Sequence, residues 1–162
     1  MKMPQQKIIT LDQAAEIAEK ARQSGKRIGF TNGVFDCLHY GHAHSLVGAR
    51  KYCDKLFVGM NSDASVKRLK GDSRPLQDEK TRGIVLASLY YVDYVVVFDY
   101  DTAMQLVERI RPDVIAKEGY QLKNWPEGQR VASYGGKTVT LPRVGGYSTS
   151  SIFEKLASQK SN

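Results

Sequence analysis

The chain has 162 residues, 41% hydrophobic and 25% charged, with a formal net charge of +7. That length and balance describe one globular domain with a core of its own and exclude a disordered or fibrous chain. The positive balance points to an anionic partner (nucleotide, sugar phosphate, nucleic acid or membrane surface) without choosing among them.

In chain order, residues 1–26 form an N-terminal region in which Leu11–Ser24 reads as an amphipathic helix, with Leu11, Ala14, Ile17, Ala18 and Ala21 on one face. A strand over Arg27–Thr31 leads through a glycine-bearing turn into a helix over His42–Tyr52. A strand over Leu56–Asn61 precedes helices over Asp63–Leu69 and Asp78–Tyr90. Strands over Tyr94–Phe98, Val114–Lys117 and Thr138–Leu141 then alternate with helices over Thr102–Ile110 and Pro126–Tyr134. A last helix covers Thr149–Ala157, and 158–162 reads as a loose tail. The expected fold is α/β: a Rossmann-like, doubly wound, five-stranded parallel sheet with helices on both faces, forming a single domain over 1–162.

Cys37 and Cys53 have no CxxC spacing, which gives no disulfide framework and fits a reducing compartment. The opening Met1–Gln6 lacks the apolar stretch of a signal peptide, and the longest apolar runs are too short to span a bilayer. A cytoplasmic protein with no membrane partner is expected.

In such sheets the ligand sits beyond the C-terminal strand edge, at the switch point. Four stretches fall there. The first, Gly33-Val34-Phe35-Asp36-Cys37-Leu38-His39-Tyr40-Gly41-His42, joins a strand to a helix start, where free N–H groups and the helix dipole favour phosphate. Its histidines, three apart, put two imidazole donors on one face of the first turn. The second is Asn61-Ser62-Asp63, with Asp63 a candidate cap for a helix bearing Lys67, Arg68 and Lys70. The third is Lys117-Glu118-Gly119, and the fourth Arg143-Val144-Gly145-Gly146-Tyr147-Ser148-Thr149-Ser150, a second candidate phosphate cradle with Arg143 as a fixed cation.

Each stretch also has a plain reading. Asp36 could cap a turn, Ser148 could be an N-cap, and Lys67, Arg68 and Lys70 could be a solvated helix face. Metal ligation by the histidines with Cys37 is disfavoured, since zinc sites need separated ligand pairs and His44 points about 200° round the helix from His42. Neither G-x-x-x-x-G-K-[ST] nor G-x-G-x-x-G occurs where P-loop or dinucleotide chemistry needs it. The cluster Lys67, Arg68, Lys70, Arg74, Lys80, Arg82 would suit a non-catalytic nucleotide- or nucleic-acid-binding module, but no nucleic-acid motif or exposed aromatic ladder accompanies it. No nucleic-acid partner is expected.

The segment GVFDCLHYGH resembles the G-x-F-D-x-x-H-x-G-H signature of the cytidylyltransferase-like nucleotidyltransferases. Tyr147-Ser148-Thr149-Ser150-Ser151-Ile152 is similar to the second, hydroxyl-rich signature of that superfamily. Lys7–Asp36, NSDASVKRLKG, YVDYVVVFDYDT, YGGKTVTLP and GYSTS resemble D-glycero-β-D-manno-heptose 1-phosphate adenylyltransferases, so the likeness covers essentially the whole chain after Gln6. That activity is often fused behind a sugar kinase; with no kinase half, this looks like the stand-alone form. Three departures from the family stand out. Lys117-Glu118-Gly119-Tyr120 stands where K-G-G-D is usual, Cys37 where leucine is, and Phe153 where many members carry arginine. The run from Arg143 also resembles glycerol-3-phosphate cytidylyltransferases, which keeps CTP open as donor.

The resemblance implies nucleotidyl transfer from ATP, with Mg²⁺ on the triphosphate and none held by the protein, to a sugar 1-phosphate, in a homodimer. It assigns catalytic roles to His39, His42, Lys70 and Arg143. The nucleotide would be bound by Asn32, Gly33, Val34, Phe35, Gly41, Lys117, Gly146, Tyr147, Ser148, Thr149 and Ser150. Asp36, Asp63, Lys67 and Arg82 would meet the acceptor, with either Lys67 or Lys70 bridging its phosphate.

Overall fold

The apolar runs become five strands: β1 (Ile28–Gly33), β2 (Lys55–Asn61), β3 (Tyr94–Phe98), β4 (Val114–Glu118) and β5 (Lys137–Leu141). In the computed structural model they form one sheet in the order β3-β2-β1-β4-β5, every neighbouring pair parallel. The structure describes residues 2–145, Ile152 and Ser158. The rest of the expected last helix and tail lies outside the described residues. The chain starts mid-sheet, runs outward through β2 and β3, then returns to place β4 on the other side of β1. That reversal makes the β1/β4 edge the switch point, in register at Gly29–Val114 and Phe30–Ile115.

The helices are α1 (Leu11–Gln23), α2 (Tyr40–Arg50), α3 (Asp63–Lys70), α4 (Glu79–Ala87), α5 (Met104–Ile110) and α6 (Pro126–Ser133). Their starts follow from side chains that accept first-turn N–H groups: Thr10 caps α1 from Gln13, Ser62 caps α3 from Ser65, and Asp78 caps α4 from Thr81. Asp63 is therefore the first residue of α3 rather than its cap.

Strand side chains alternate between two cores. Phe30, Phe57, Val96 and Ile115 pack with Ala14 and Ala18 of α1, Leu106, Val107 and Ile110 of α5, and Val131 of α6. Leu56, Val58, Met60, Val95 and Ala116 face the other way, onto Leu46 and Ala49 of α2 and Leu86 and Ala87 of α4. Each fully buried large side chain contributes roughly 1.5–3 kcal/mol to holding the helix layers on the sheet.

The start of the chain departs from the expected pattern. Pro4–Lys7 forms a 3-10 turn, Ile8 bridges Val95 in parallel, and the Lys7 ammonium donates to the Leu89 and Val92 carbonyls. This covers the outer edge of β3 at one point, a tertiary contact without local periodicity. Among the described residues no helix is long and apolar enough to cross a membrane.

Candidate active site

β1 extends two residues past the expected Thr31, pairing Asn32 with Gly59 and Gly33 with Met60, and so carries the chain to the sheet's C-terminal edge. α2 begins at Tyr40, two residues earlier than the His42 expected, because His39 is extended (φ −138°, ψ 174°) and serves as N-cap. The shift places His39 at the cap and His42 on the first turn. Their rings stack with centroids 3.9 Å apart and planes 28° from parallel. The first-turn N–H groups of Tyr40, Gly41 and His42 precede any possible i−4 acceptor within the helix, and the positive end of the dipole lies there. Between strand and helix, Phe35 adopts the left-handed region at φ 51°. Its ring lies 5.2 Å from that of His42 and over Gly33, where a Cβ would meet it at 3.1 Å.

A buried arginine sets this turn. Arg82 of α4 is 1% exposed, and its guanidinium donates to the Val34 carbonyl at 2.6 Å, the Gln77 carbonyl at 3.0 Å and the Asp63 carboxylate at 2.7 Å. Asp36, 4% exposed, accepts from the Leu76 N–H at 2.8 Å, the Gln77 N–H at 3.2 Å and Arg74 Nη1 at 2.8 Å. Burial alone would raise the Asp36 carboxyl, but Arg74 and those N–H groups outweigh it and hold the carboxyl below its ordinary range. The three residues expected to meet the acceptor thus also have partners within the protein. Through these bonds Asp36, Asp63 and Arg82 tie the turn to α3, α4 and the 71–78 loop.

Above the turn is a cavity of about 170 Å³ lined by Asn32, Phe35, His42, Lys117, Glu118 and Tyr120, among others. Lys117 Nζ donates to Asn32 Oδ1 at 3.3 Å and sits 4.2 Å from the Tyr120 ring centroid. Glu118 accepts from the Ser45 hydroxyl of α2 at 2.8 Å and from the Val144 N–H at 3.0 Å. Gly119, at φ 71°, leaves room for Arg143, whose Nε would stand 3.4 Å from a Cβ there. Gly146, Tyr147, Ser148, Thr149 and Ser150 lie outside the described residues.

Burial drives the His42 imidazole down to about 4, aided by the neighbouring His39 and by Lys70, and opposed by Glu118 and a Cys37 backbone hydrogen bond. Burial also lowers His39, again against Glu118. Both rings are neutral near pH 7 and offer N–H donors rather than full charges. Lys70, exposed on the last turn of α3 next to Gly71, is near enough for its charge to reach His42. Lys67 is exposed on the same helix, and Arg68 pairs with Asp99 and Asp101.

Neutral imidazole donors, helix N–H groups and the cations Lys70, Lys117 and Arg143 can bind a polyphosphate and stabilise charge spread over it. His44 lies apart, its ring 6.0 Å from Tyr40. Among the described residues no group of three or more His, Cys, Asp or Glu side chains could hold a metal ion. The bond of Arg74 to Asp36, the part played by Ser45 and the two contacts of Glu118 are not legible in the sequence. The one local signal was an acidic residue at a strand end in a basic chain.

Residues 30–154 match the cytidylyltransferase-like family model. The chain is 49% identical over 153 residues to the bifunctional protein HldE of Acidiphilium cryptum, covering 94% of this chain and 32% of that protein. To the bifunctional protein HldE of Nitrobacter hamburgensis it is 52% identical over 135 residues, covering 83% and 28%. The chain thus spans under a third of the length of these curated relatives. Among solved structures, the lipopolysaccharide core biosynthesis protein from Thermoplasma volcanium superposes with a TM-score of 0.63 at 29% identity, covering 74% of this chain and 99% of that one. A pantoate-beta-alanine ligase from Francisella tularensis gives 0.64 at 13% identity over 91% and 72%, a likeness of fold alone. With the family match running from within β1 past Arg143, the chain belongs to the cytidylyltransferase-like nucleotidyltransferases.

Proposed function

We propose that this chain transfers the adenylyl group of Mg²⁺-bound ATP to D-glycero-D-manno-heptose 1-phosphate, releasing pyrophosphate and giving ADP-heptose for lipopolysaccharide or surface-polysaccharide synthesis. The observation that carries this reading is the stacked, neutral His39/His42 pair at the head of α2, beside the Lys117 cavity. The HldE relatives, near half identical over most of the chain, support the acceptor. So does the lipopolysaccharide role named for the Thermoplasma volcanium protein.

An oxygen of the acceptor phosphate attacks the α-phosphorus in line, and the bond to the β-phosphate oxygen breaks. The acceptor brings two negative charges and ATP four; the sugar nucleotide keeps two and pyrophosphate leaves with four. No proton moves, so no general base is required, and catalysis comes from positioning and charge stabilisation. His39 and His42 donate to the α/β-phosphates. The backbone of Gly33, Val34, Phe35 and Gly41 lets the phosphates approach α2 closely. Asn32 and Lys117 line the nucleoside side of the cavity. Arg143 takes the β/γ end, together with Gly146, Tyr147, Ser148, Thr149 and Ser150. Lys70 bridges to the acceptor phosphate, with Lys67 behind it.

Glu118, the carboxylate whose charge reaches both histidines, already accepts hydrogen bonds from Ser45 and the Val144 N–H, which suits a metal carried in by the triphosphate. The free thiols of Cys37 and Cys53 suit a cytoplasmic setting. A homodimer is proposed on the family resemblance. The test is pyrophosphate release with ATP or CTP against heptose 1-phosphate or glycerol 3-phosphate. Release with ATP and heptose 1-phosphate alone is expected. Release with CTP and glycerol 3-phosphate would replace both substrates, and silence in every pairing would overturn the reading.

A further inference from the structure

Glu118 poses a physical problem: a carboxylate lines a cavity otherwise suited to anions. Its contacts resolve it. One oxygen accepts from Ser45 of α2 and the other from the Val144 N–H, so the group ties three separate segments together. Nearby bonds hold β5 itself, from the Gly119 N–H to the Leu141 carbonyl and from the Thr140 hydroxyl to the Tyr120 carbonyl. Past Leu141 the chain leaves the sheet. Among the described residues, the Val144–Glu118 bond is the one hydrogen bond that anchors 142–145. Arg143 sits in that stretch, its guanidinium over Gly119 and therefore beside the Glu118–Tyr120 wall of the cavity.

We propose that Glu118 is a positioning residue: it braces the Arg143–Val144 corner against α2, so that the Arg143 guanidinium stays beside the histidine cavity where a triphosphate would meet it. The assignment rests on the nucleotidyltransferase reading for what Arg143 binds, but the brace itself does not.

The test compares Glu118→Ala, Glu118→Gln and Ser45→Ala in the full chain, by amide hydrogen exchange at Val144 and by steady-state kinetics. Glu118→Ala frees the Val144 amide, raising its exchange about tenfold or more. It raises KM for the nucleoside triphosphate by about 10- to 100-fold, with a smaller change in kcat, as expected when a binding group is displaced. Glu118→Gln keeps both contacts, its amide oxygen accepting from Val144 and its NH₂ donating to Ser45 Oγ, so exchange and KM near pH 7 stay close to wild type.

Unchanged exchange or unchanged KM in Glu118→Ala would overturn the brace. So would a Glu118→Gln variant as impaired as Glu118→Ala. Should Glu118→Ala fail to fold, Ser45→Ala cuts the α2 arm alone: a severalfold rise in Val144 exchange is expected, and no change would refute the brace. Exchange needs no turnover, so a wild type silent with every substrate pair would sink the proposed reaction while the exchange result still decides the role of Glu118.

Discussion

Arg82→Met removes the guanidinium that joins three segments beneath the active-site turn while keeping most of its volume. Breaking a buried ion pair by deleting one partner costs about 3–5 kcal/mol. The Asp63 side chain is 33% exposed and can rehydrate, which places this pair at the low end. The Val34 and Gln77 carbonyls then lose their donor, adding about 1 kcal/mol or more between them. The total is about 4 kcal/mol, or roughly 8–16 °C in Tm at the 2–4 °C per kcal/mol typical of this size. Urea and thermal unfolding followed by circular dichroism read both quantities. Arg82→Lys does not rescue, because a single ammonium cannot span acceptors on the turn, the 71–78 loop and α3 at once. A variant within about 1 kcal/mol of wild type would refute the assignment of Arg82 to the framework.

His42→Ala should lower kcat by about 10²–10³, the usual cost of one preorganised donor, with the far-ultraviolet spectrum unchanged; a collapsed spectrum would make His42 structural instead. With the His42 imidazole at about 4 against an ordinary 6.5, the folded state resists protonation, so stability falls as pH drops from 6.5 toward 4. The ceiling is on the order of 3 kcal/mol, and His42→Ala abolishes that part of the slope. Unfolding curves of the two proteins that stay parallel from pH 7 to 4 would contradict the buried neutral imidazole. Arg143→Ala should raise KM for the nucleoside triphosphate more than for the acceptor; equal effects on both would remove it from the β/γ end.

Much of the site was legible because its parts are local. The strand, the glycine turn and the histidines lie within fifteen residues, Ile28–His42, and hydrophobic periodicity alone places them on one edge of a parallel sheet. The start of α2 was misread by two residues because an extended N-cap leaves no mark when, as at His39, its side chain makes no capping bond. The protein partners of Asp36, Asp63 and Arg82 were not legible, because a charged residue near a motif is read as facing solvent. Their partners are distant in sequence: Arg82 reaches Val34 across 48 positions, and Asp36 reaches Leu76 across 40. Glu118 meets Ser45 across 73. Bonds over such separations exist only once the sheet has formed, and no spacing rule announces them.

In the proposed reaction the nucleotide held at the histidine turn is attacked at its α-phosphorus by the acceptor's own phosphate. Heptose 1-phosphate carrying ¹⁸O in its phosphate, turned over with unlabelled ATP, tests it directly by mass spectrometry of both products. All of the label is expected in the sugar nucleotide and none in pyrophosphate. Label in pyrophosphate, or cleavage of ATP that leaves the labelled acceptor intact, would contradict it.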